Sequence, residues 1–155
     1  MEIEQDHVHK SHNKSALLYH LVCPVRYRRK AITEEVEKTI VATCIEISKR
    51  YEIHFTEIRI DIDHVHFLIQ SVPILSPQQI TQTVKSITAK EVFKQNPEVK
   101  KMLWGGKFWT SGYYINTVGL YGGRDMIQNY VKNQGNNSYK QIHTSTLQLS
   151  LVERW

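Results

Sequence analysis

Cysteine is nearly missing from this 155-residue chain, which carries only Cys23 and Cys44. Two thiols cannot build a disulfide framework or a four-cysteine zinc site. No run approaches the roughly 18 apolar residues of a membrane-spanning helix. No basic start leads into an apolar stretch, so no signal peptide is expected and the expected compartment is cytoplasmic. No glycine-rich loop is followed by Lys-Ser or Lys-Thr, so no nucleotide cofactor is expected. Internal repeats and Pro/Gly-rich linkers are absent as well. The sequence therefore predicts a single domain over 1–155, with an N-terminal arm at 1–14 and a tail at 138–155.

What is present is a modest excess of positive charge. Lys and Arg number 20 against 15 Asp and Glu, for a net charge of +5. That balance suits a polyanionic partner without requiring one. A hydrophobic content of 41% with 23% charged residues is that of a globular protein rather than a disordered one. Eight histidines and eight tyrosines are the other surplus.

Periodicity gives the order of elements. Ala16 to Cys23 reads as a buried strand stopped by Pro24. Thr33, followed by Glu35 and Glu37, marks a helix start. Val36, Ile40, Cys44 and Ile47 then recur at helical spacing to about residue 50. Ile53, Phe55, Ile58, Ile60 and Ile62 favour a strand, ambiguous near Glu57, and Val65 to Ile69 form its hairpin partner. Ile80, Val84, Ile87 and Val92 predict a second helix from Ser76 to Gln95, closed by Pro97. Tyr113 to Val118 is a fourth strand, and Arg124 to Gln134 a last helix. The order β-α-β-β-α-β predicts an α+β fold of the ferredoxin-like or RRM-like kind. Its sheet is antiparallel, its helices lie on one face, and a C-terminal helix is added. Such a fold hosts many functions and decides none.

His64-Val65-His66 is the sharpest chemical feature. Residues i and i+2 of a strand share a face, so the two imidazoles project together and can ligate one divalent ion. Two histidines on a half-exposed strand is the plainer alternative. The tetrapeptide Asp63-His64-Val65-His66 also occurs as Asp6-His7-Val8-His9. The first copy is followed by Lys10-Ser11-His12-Asn13, which offers no apolar strand to hold it, and a preorganised ligand pair needs a scaffold. Asp61 and Asp63 lie close to His64, and Asp63 suits a tight corner.

Tyr130 and Gln134 lie four apart on the predicted last helix and so share a face. A tyrosine hydroxyl can act as a covalent nucleophile, and the Gln134 oxygen offers a neutral third ligand beside the histidines. By spacing alone, a packed tyrosine and a solvated glutamine is the simpler reading. Oxygen plus imidazole donors suit Mg²⁺ or Mn²⁺. Arg26, Arg28, Arg29 and Lys30 form the densest basic cluster, with Tyr27 among them. Lys85, Lys90 and Lys94 lie along the second helix, and Lys100, Lys101 and Lys107 near Trp104 and Trp109. Basic groups with interleaved aromatics suit a nucleic-acid single strand or hairpin, and an ordinary solvated face is the alternative.

His64-Val65-His66 matches the His-hydrophobic-His (HUH) motif of single-strand DNA endonucleases. Tyr19-His20-Leu21-Val22 with Arg26 to Lys30 resembles the first-strand signature of the TnpA transposases of the insertion-sequence 200/605 type. Leu103-Trp104-Gly105-Gly106, Trp109 and Tyr113 to Gly119 resemble the segment before that family's last helix. Ile127 to Gln134 resembles the helix itself. The resemblance spans about 16–134. The family often has Trp-Cys-Pro after the first strand, where this chain has Cys23-Pro24-Val25.

The resemblance implies an enzyme that cuts and rejoins single-stranded DNA at element ends and recognises DNA hairpins. It makes Tyr130 the nucleophile of a 5′-phosphotyrosine intermediate. It makes His64, His66 and Gln134 the ligands of Mg²⁺ or Mn²⁺. It also implies a homodimer whose tyrosine helix can complete the partner's site. Two rival readings accompany it: a non-catalytic RRM-like nucleic-acid binder, and a domesticated relative that nicks palindromes without moving an element. Tyr113 and Tyr114 are rival nucleophiles, placed lower because they sit in a strand with no ligand at helical spacing.

Overall fold

A computed structural model of the protein describes residues 8–9, 14–104, 106–119 and 140–142. Along them run β1 (Val8–His9), β2 (Lys14–Ser15), β3 (Leu17–Pro24), α1 (Glu34–Arg50), β4 (His54–Ile60) and β5 (His64–Ser71). There follow α2 (Pro77–Gln95), α3 (Pro97–Met102), β6 (Tyr114–Thr117) and β7 (Lys140–Ile142). The predicted last helix, with Tyr130 and Gln134, lies outside the described residues.

Each long helix begins where its sequence supplies a cap. The Thr33 hydroxyl accepts from the Val36 N–H, and Glu34, Glu35 and Glu37 occupy the first turn of α1. At α2, Ser76 and Gln79 form a reciprocal capping box that spans Pro77 at the first helical position. Pro97 does not simply close α2. It opens the short α3, because a proline at a first helical position loses no intrahelical bond.

The main sheet has five strands in the order β6-β3-β5-β4-β7. Its pairings are antiparallel throughout. The predicted α+β class, antiparallel sheet and sequential order β-α-β-β-α-β hold. The fifth strand is an addition, drawn from a tail that periodicity left unplaced. Among the described residues, β1 pairs with β2 in a separate two-stranded sheet.

The helices cover one face. Leu21, Cys23, Phe55, Ile58, Ile60, Val65, Phe67 and Ile69 pack there against Val36, Ile40, Cys44 and Ile47 of α1 and Ile80, Val84 and Val92 of α2. A fully buried side chain such as Phe67 contributes about 1.5–3 kcal/mol by area alone. The buried row of α2 includes Thr88 in place of the predicted Ile87, which is only partly buried. The Thr88 hydroxyl donates to the Val84 carbonyl (2.6 Å) and accepts from the Trp109 indole N–H (2.8 Å), so its polarity is satisfied inside the core. Among the described residues no helix is long and apolar enough to cross a membrane.

Candidate active site

Strand alternation divides β5 cleanly. Val65, Phe67 and Ile69 enter the core, which leaves His64, His66 and Leu68 on the face away from the helices. Both histidines are nearly buried there, and their ring centroids are 5.1 Å apart. β5 is the central strand, flanked by β3 and β4, so the pair rests on the best-supported backbone of the sheet.

Each ring is held at Nδ1. His64 Nδ1 lies 2.6 Å from Asp63 Oδ1. A carboxylate only accepts, so Nδ1 of His64 donates, which makes Nε2 the atom that could ligate. Asp63 is itself paired with Arg28, whose Nε is 3.4 Å from the second carboxylate oxygen. Burial works to raise the Asp63 carboxyl, but the His64 hydrogen bond and the Arg28 charge outweigh it and hold it below its ordinary value. His66 Nδ1 lies 2.8 Å from His20 Nε2, with the two rings stacked at 5.0 Å.

Burial lowers both of these imidazoles, His20 to about 4 and His66 to about 3. The neighbouring His20, His64 and Arg59 push His66 further in the same direction. Both rings are therefore neutral at physiological pH, and neutral imidazole is the form that binds metal. Asp61, Asp63 and His64 also bring ligand atoms within 4.8 Å of one another, a combination of hard oxygen and borderline nitrogen donors. This donor chemistry fits Mn²⁺ well and Mg²⁺ acceptably. The corner-forming bond at the hairpin belongs to Asp61, whose Oδ1 accepts from the Ile62 N–H (2.6 Å), while the Asp63 carboxylate turns to His64 and Arg28.

The family model for IS200-like transposases matches residues 13–134. The chain belongs to the IS200-like transposase family. It is 30% identical over 118 residues to the ISDra2 transposase TnpA of Deinococcus radiodurans, covering 76% of this chain and 84% of that one. It is 26% identical over 124 residues to the transposase for insertion sequence element IS200 of Salmonella typhimurium, covering 80% of each. A crystal structure of a candidate transposase from Deinococcus radiodurans R1 superposes with a TM-score of 0.65 at 25% identity, over 82% of this chain and 98% of that one. A REP-associated tyrosine transposase bound to a REP hairpin shares the fold at a TM-score of 0.52 and 8% identity, over 80% of this chain and 67% of that one.

In this IS200-like transposase the basic cluster follows a bent course. Tyr27 and Arg28 both adopt left-handed backbone, at φ 58 and 52. That conformation costs about 1–2 kcal/mol per ordinary residue. It is held by Arg28 N–H to Val25 O, Arg26 N–H to Phe108 O and Val25 N–H to Asp63 O. The last of these bonds ties the cluster directly to the histidine hairpin. Arg29 and Lys30 are exposed, and the Arg26 guanidinium lies over the Tyr27 ring at 5.0 Å. Lys85 turns inward, donating to the Thr110 carbonyl at 2.8 Å and lying 5.5 Å above Tyr113. Burial lowers its pKa, Cys23 opposes that shift and Lys107 adds to it. Trp104 is 79% exposed and available for stacking, whereas Trp109 is core.

Spacing alone did not single out His20, Glu57 or Arg59 on the histidine face. His20 is fully buried against His66. Glu57 and Arg59 form a buried ion pair at 3.1 Å, with Arg59 directly opposite His66. Their signal was present as two charged residues alternating with Ile58 and Ile60. Tyr114 stands across β3 from the hairpin, edge-on to His20 at 6.4 Å. Tyr130 and Gln134 lie outside the described residues.

Proposed function

We propose that the protein cuts and rejoins single-stranded DNA at the ends of an insertion sequence, in the cytoplasm and as a homodimer. The observation that carries this reading is the pair His64 and His66, side by side on the central strand with each Nδ1 already engaged. Membership of the transposase family supplies the substrate class.

In this reading Tyr130 is the nucleophile. Its phenolic oxygen attacks the scissile phosphorus, the P–O3′ bond breaks, and the departing 3′ oxygen takes a proton. The products are a 5′-phosphotyrosine and a 3′-hydroxyl. Attack by another 3′-hydroxyl on the same phosphorus reverses the step and restores the tyrosine, so no nucleotide need be consumed. His64, His66 and Gln134 would hold a divalent cation, Mg²⁺ or Mn²⁺. Lewis-acid polarisation of the phosphate is the chemistry such an ion would supply when bound. Asp63 orients His64, and Arg28 braces Asp63.

Hairpin recognition falls to the basic surface. Arg26, Arg29 and Lys30 are the better-placed contacts, with Trp104 as a stacking surface. Arg28 and Lys85 already hold protein partners and contribute charge from those positions. The relative bound to a REP hairpin is consistent with a folded single-stranded ligand.

Incubation with single-stranded element-end DNA and Mn²⁺ tests the proposal on a denaturing gel. The wild type forms a covalent adduct, and Tyr130→Phe forms none while still binding the hairpin. An adduct that survives in Tyr130→Phe removes the assignment and transfers it to Tyr114, the tyrosine on the histidine face.

A further inference from the structure

The two histidines of the pair are steadied by different chemistry. Behind His64 stands a carboxylate, which can only accept a proton-bearing nitrogen. Behind His66 stands another imidazole, which can donate or accept. The His20–His66 contact therefore has two possible proton arrangements, and only one of them serves a ligand.

The choice follows from geometry. His20 and His66 are diagonal neighbours across the β3–β5 pairing, since His20 is opposite Leu68 and His66 opposite Val22. Their rings lie within 15° of parallel, and His66 Nδ1 is engaged at 2.8 Å in a buried stack. A nitrogen so engaged cannot also coordinate an ion, so His66 must ligate through Nε2. A neutral imidazole with its lone pair on Nε2 carries its proton on Nδ1. That proton has to be received by His20.

We infer that His20 is a positioning residue whose Nε2 accepts the Nδ1–H of His66 and holds His66 in the tautomer with its lone pair on Nε2. The inference rests on the reading of His66 as a metal ligand proposed above. His20 plays for His66 the part that Asp63 plays for His64, without adding negative charge. The ion then faces one imidazole backed by an anion and one backed by a neutral ring, so the His66 bond is the weaker donor of the two.

The test uses the full chain labelled with ¹⁵N-histidine, metal-free, and long-range ¹H–¹⁵N correlation to read the His66 tautomer. Mn²⁺ affinity is then measured by calorimetry on the wild type, His20→Gln, His20→Leu and His66→Ala, with thermal melting as a folding control. The wild-type His66 is expected to carry its proton on Nδ1. His20→Leu is expected to mix the tautomers and weaken Mn²⁺ binding about 10–100-fold. His20→Gln keeps an acceptor oxygen near the same place and is expected to stay within a few-fold of wild type.

A wild-type His66 protonated on Nε2 overturns the inference whether or not the variants fold. Equal losses in His20→Gln and His20→Leu also overturn it, because a purely structural role would not distinguish them in this way. If His66→Ala weakens Mn²⁺ binding and His20→Leu does not, the His20 inference fails alone. If His66→Ala binds as tightly as wild type, the ligand reading falls and takes this inference with it.

Discussion

The chain contains Asp-His-Val-His twice, and the two copies meet different fates. Among the described residues, Val8–His9 of the first copy pairs with Lys14–Ser15, in a two-stranded sheet apart from the main one. Val65 of the second copy is fully buried, on the central strand of five. Both flanking strands pair with that strand, and the strand behind it supplies His20. The same four letters thus give an oriented imidazole pair on the central strand in one place, while in the other the two described residues, Val8 and His9, lie in a two-residue strand. The difference lies in what stands behind the motif: Phe67, Ile69 and the helix-facing core, which fix the strand in position.

The largest contrast between the copies is expected in catalysis. His64→Ala should lower cleavage of element-end DNA more than about 100-fold, beyond what changes acting on a ligand from behind produce. His9→Ala should leave cleavage at the wild-type level. A gel assay at fixed Mn²⁺ checks both, and loss of hairpin binding in His64→Ala would mean that the residue supports the fold rather than the chemistry. A smaller contrast is expected one residue upstream. Asp63→Ala removes the acceptor of the His64 proton and should weaken Mn²⁺ binding about 10–100-fold by calorimetry, while Asp6→Ala should not change it. Equal affinity in the two variants would show that the second copy owes nothing to its orienting carboxylate.

The smallest contrast is one of stability in acid. His20 and His66 have folded-state values of about 4 and about 3, below the ordinary 6.5. As pH falls below 6.5 the unfolded chain takes up protons at these rings and the folded chain does not, so unfolding is favoured. Stability should be flat above pH 6.5 and decline from there toward about pH 4, by at most about 1.4 kcal/mol per pH unit for each histidine. Urea unfolding at a series of pH values checks this. His20→Gln should flatten the decline and His9→Ala should not, and a decline unchanged in His20→Gln would assign it to other groups.

Much of the architecture was legible from periodicity. The caps Thr33 and Ser76, the four-residue apolar rows of both helices and the strand alternation of β5 all act locally, so a window of sequence contains the cause. The pairing of His64 and His66 was legible for the same reason. The partners were not. His20 lies 46 residues from His66, and the Arg28–Asp63 pair depends on two successive left-handed residues that no spacing rule anticipates. Trp109 gave the same kind of difficulty, since an aromatic in a glycine-rich loop reads as exposed until Thr88 is found waiting for its indole N–H. Within the tail, the described residues Lys140–Ile142 add β7 to an edge, too short a strand for periodicity to mark.

The ambiguity near Glu57 was itself a signal. Phe55 pairs with Ile69 and Glu57 with Leu68, so Thr56 is one residue more than the partner strand can match. Its hydroxyl donates to the Leu68 carbonyl at 3.2 Å. Unbroken pairing from Phe55 onward would have turned Glu57 and Arg59 into the apolar core and brought Ile58 and Ile60 beside the histidines. β4 therefore consists of two half-strands in opposite phase, spliced at a single threonine. That splice allows one continuous stretch of chain to be oily on the side of the helices throughout and ionic only where it passes His66.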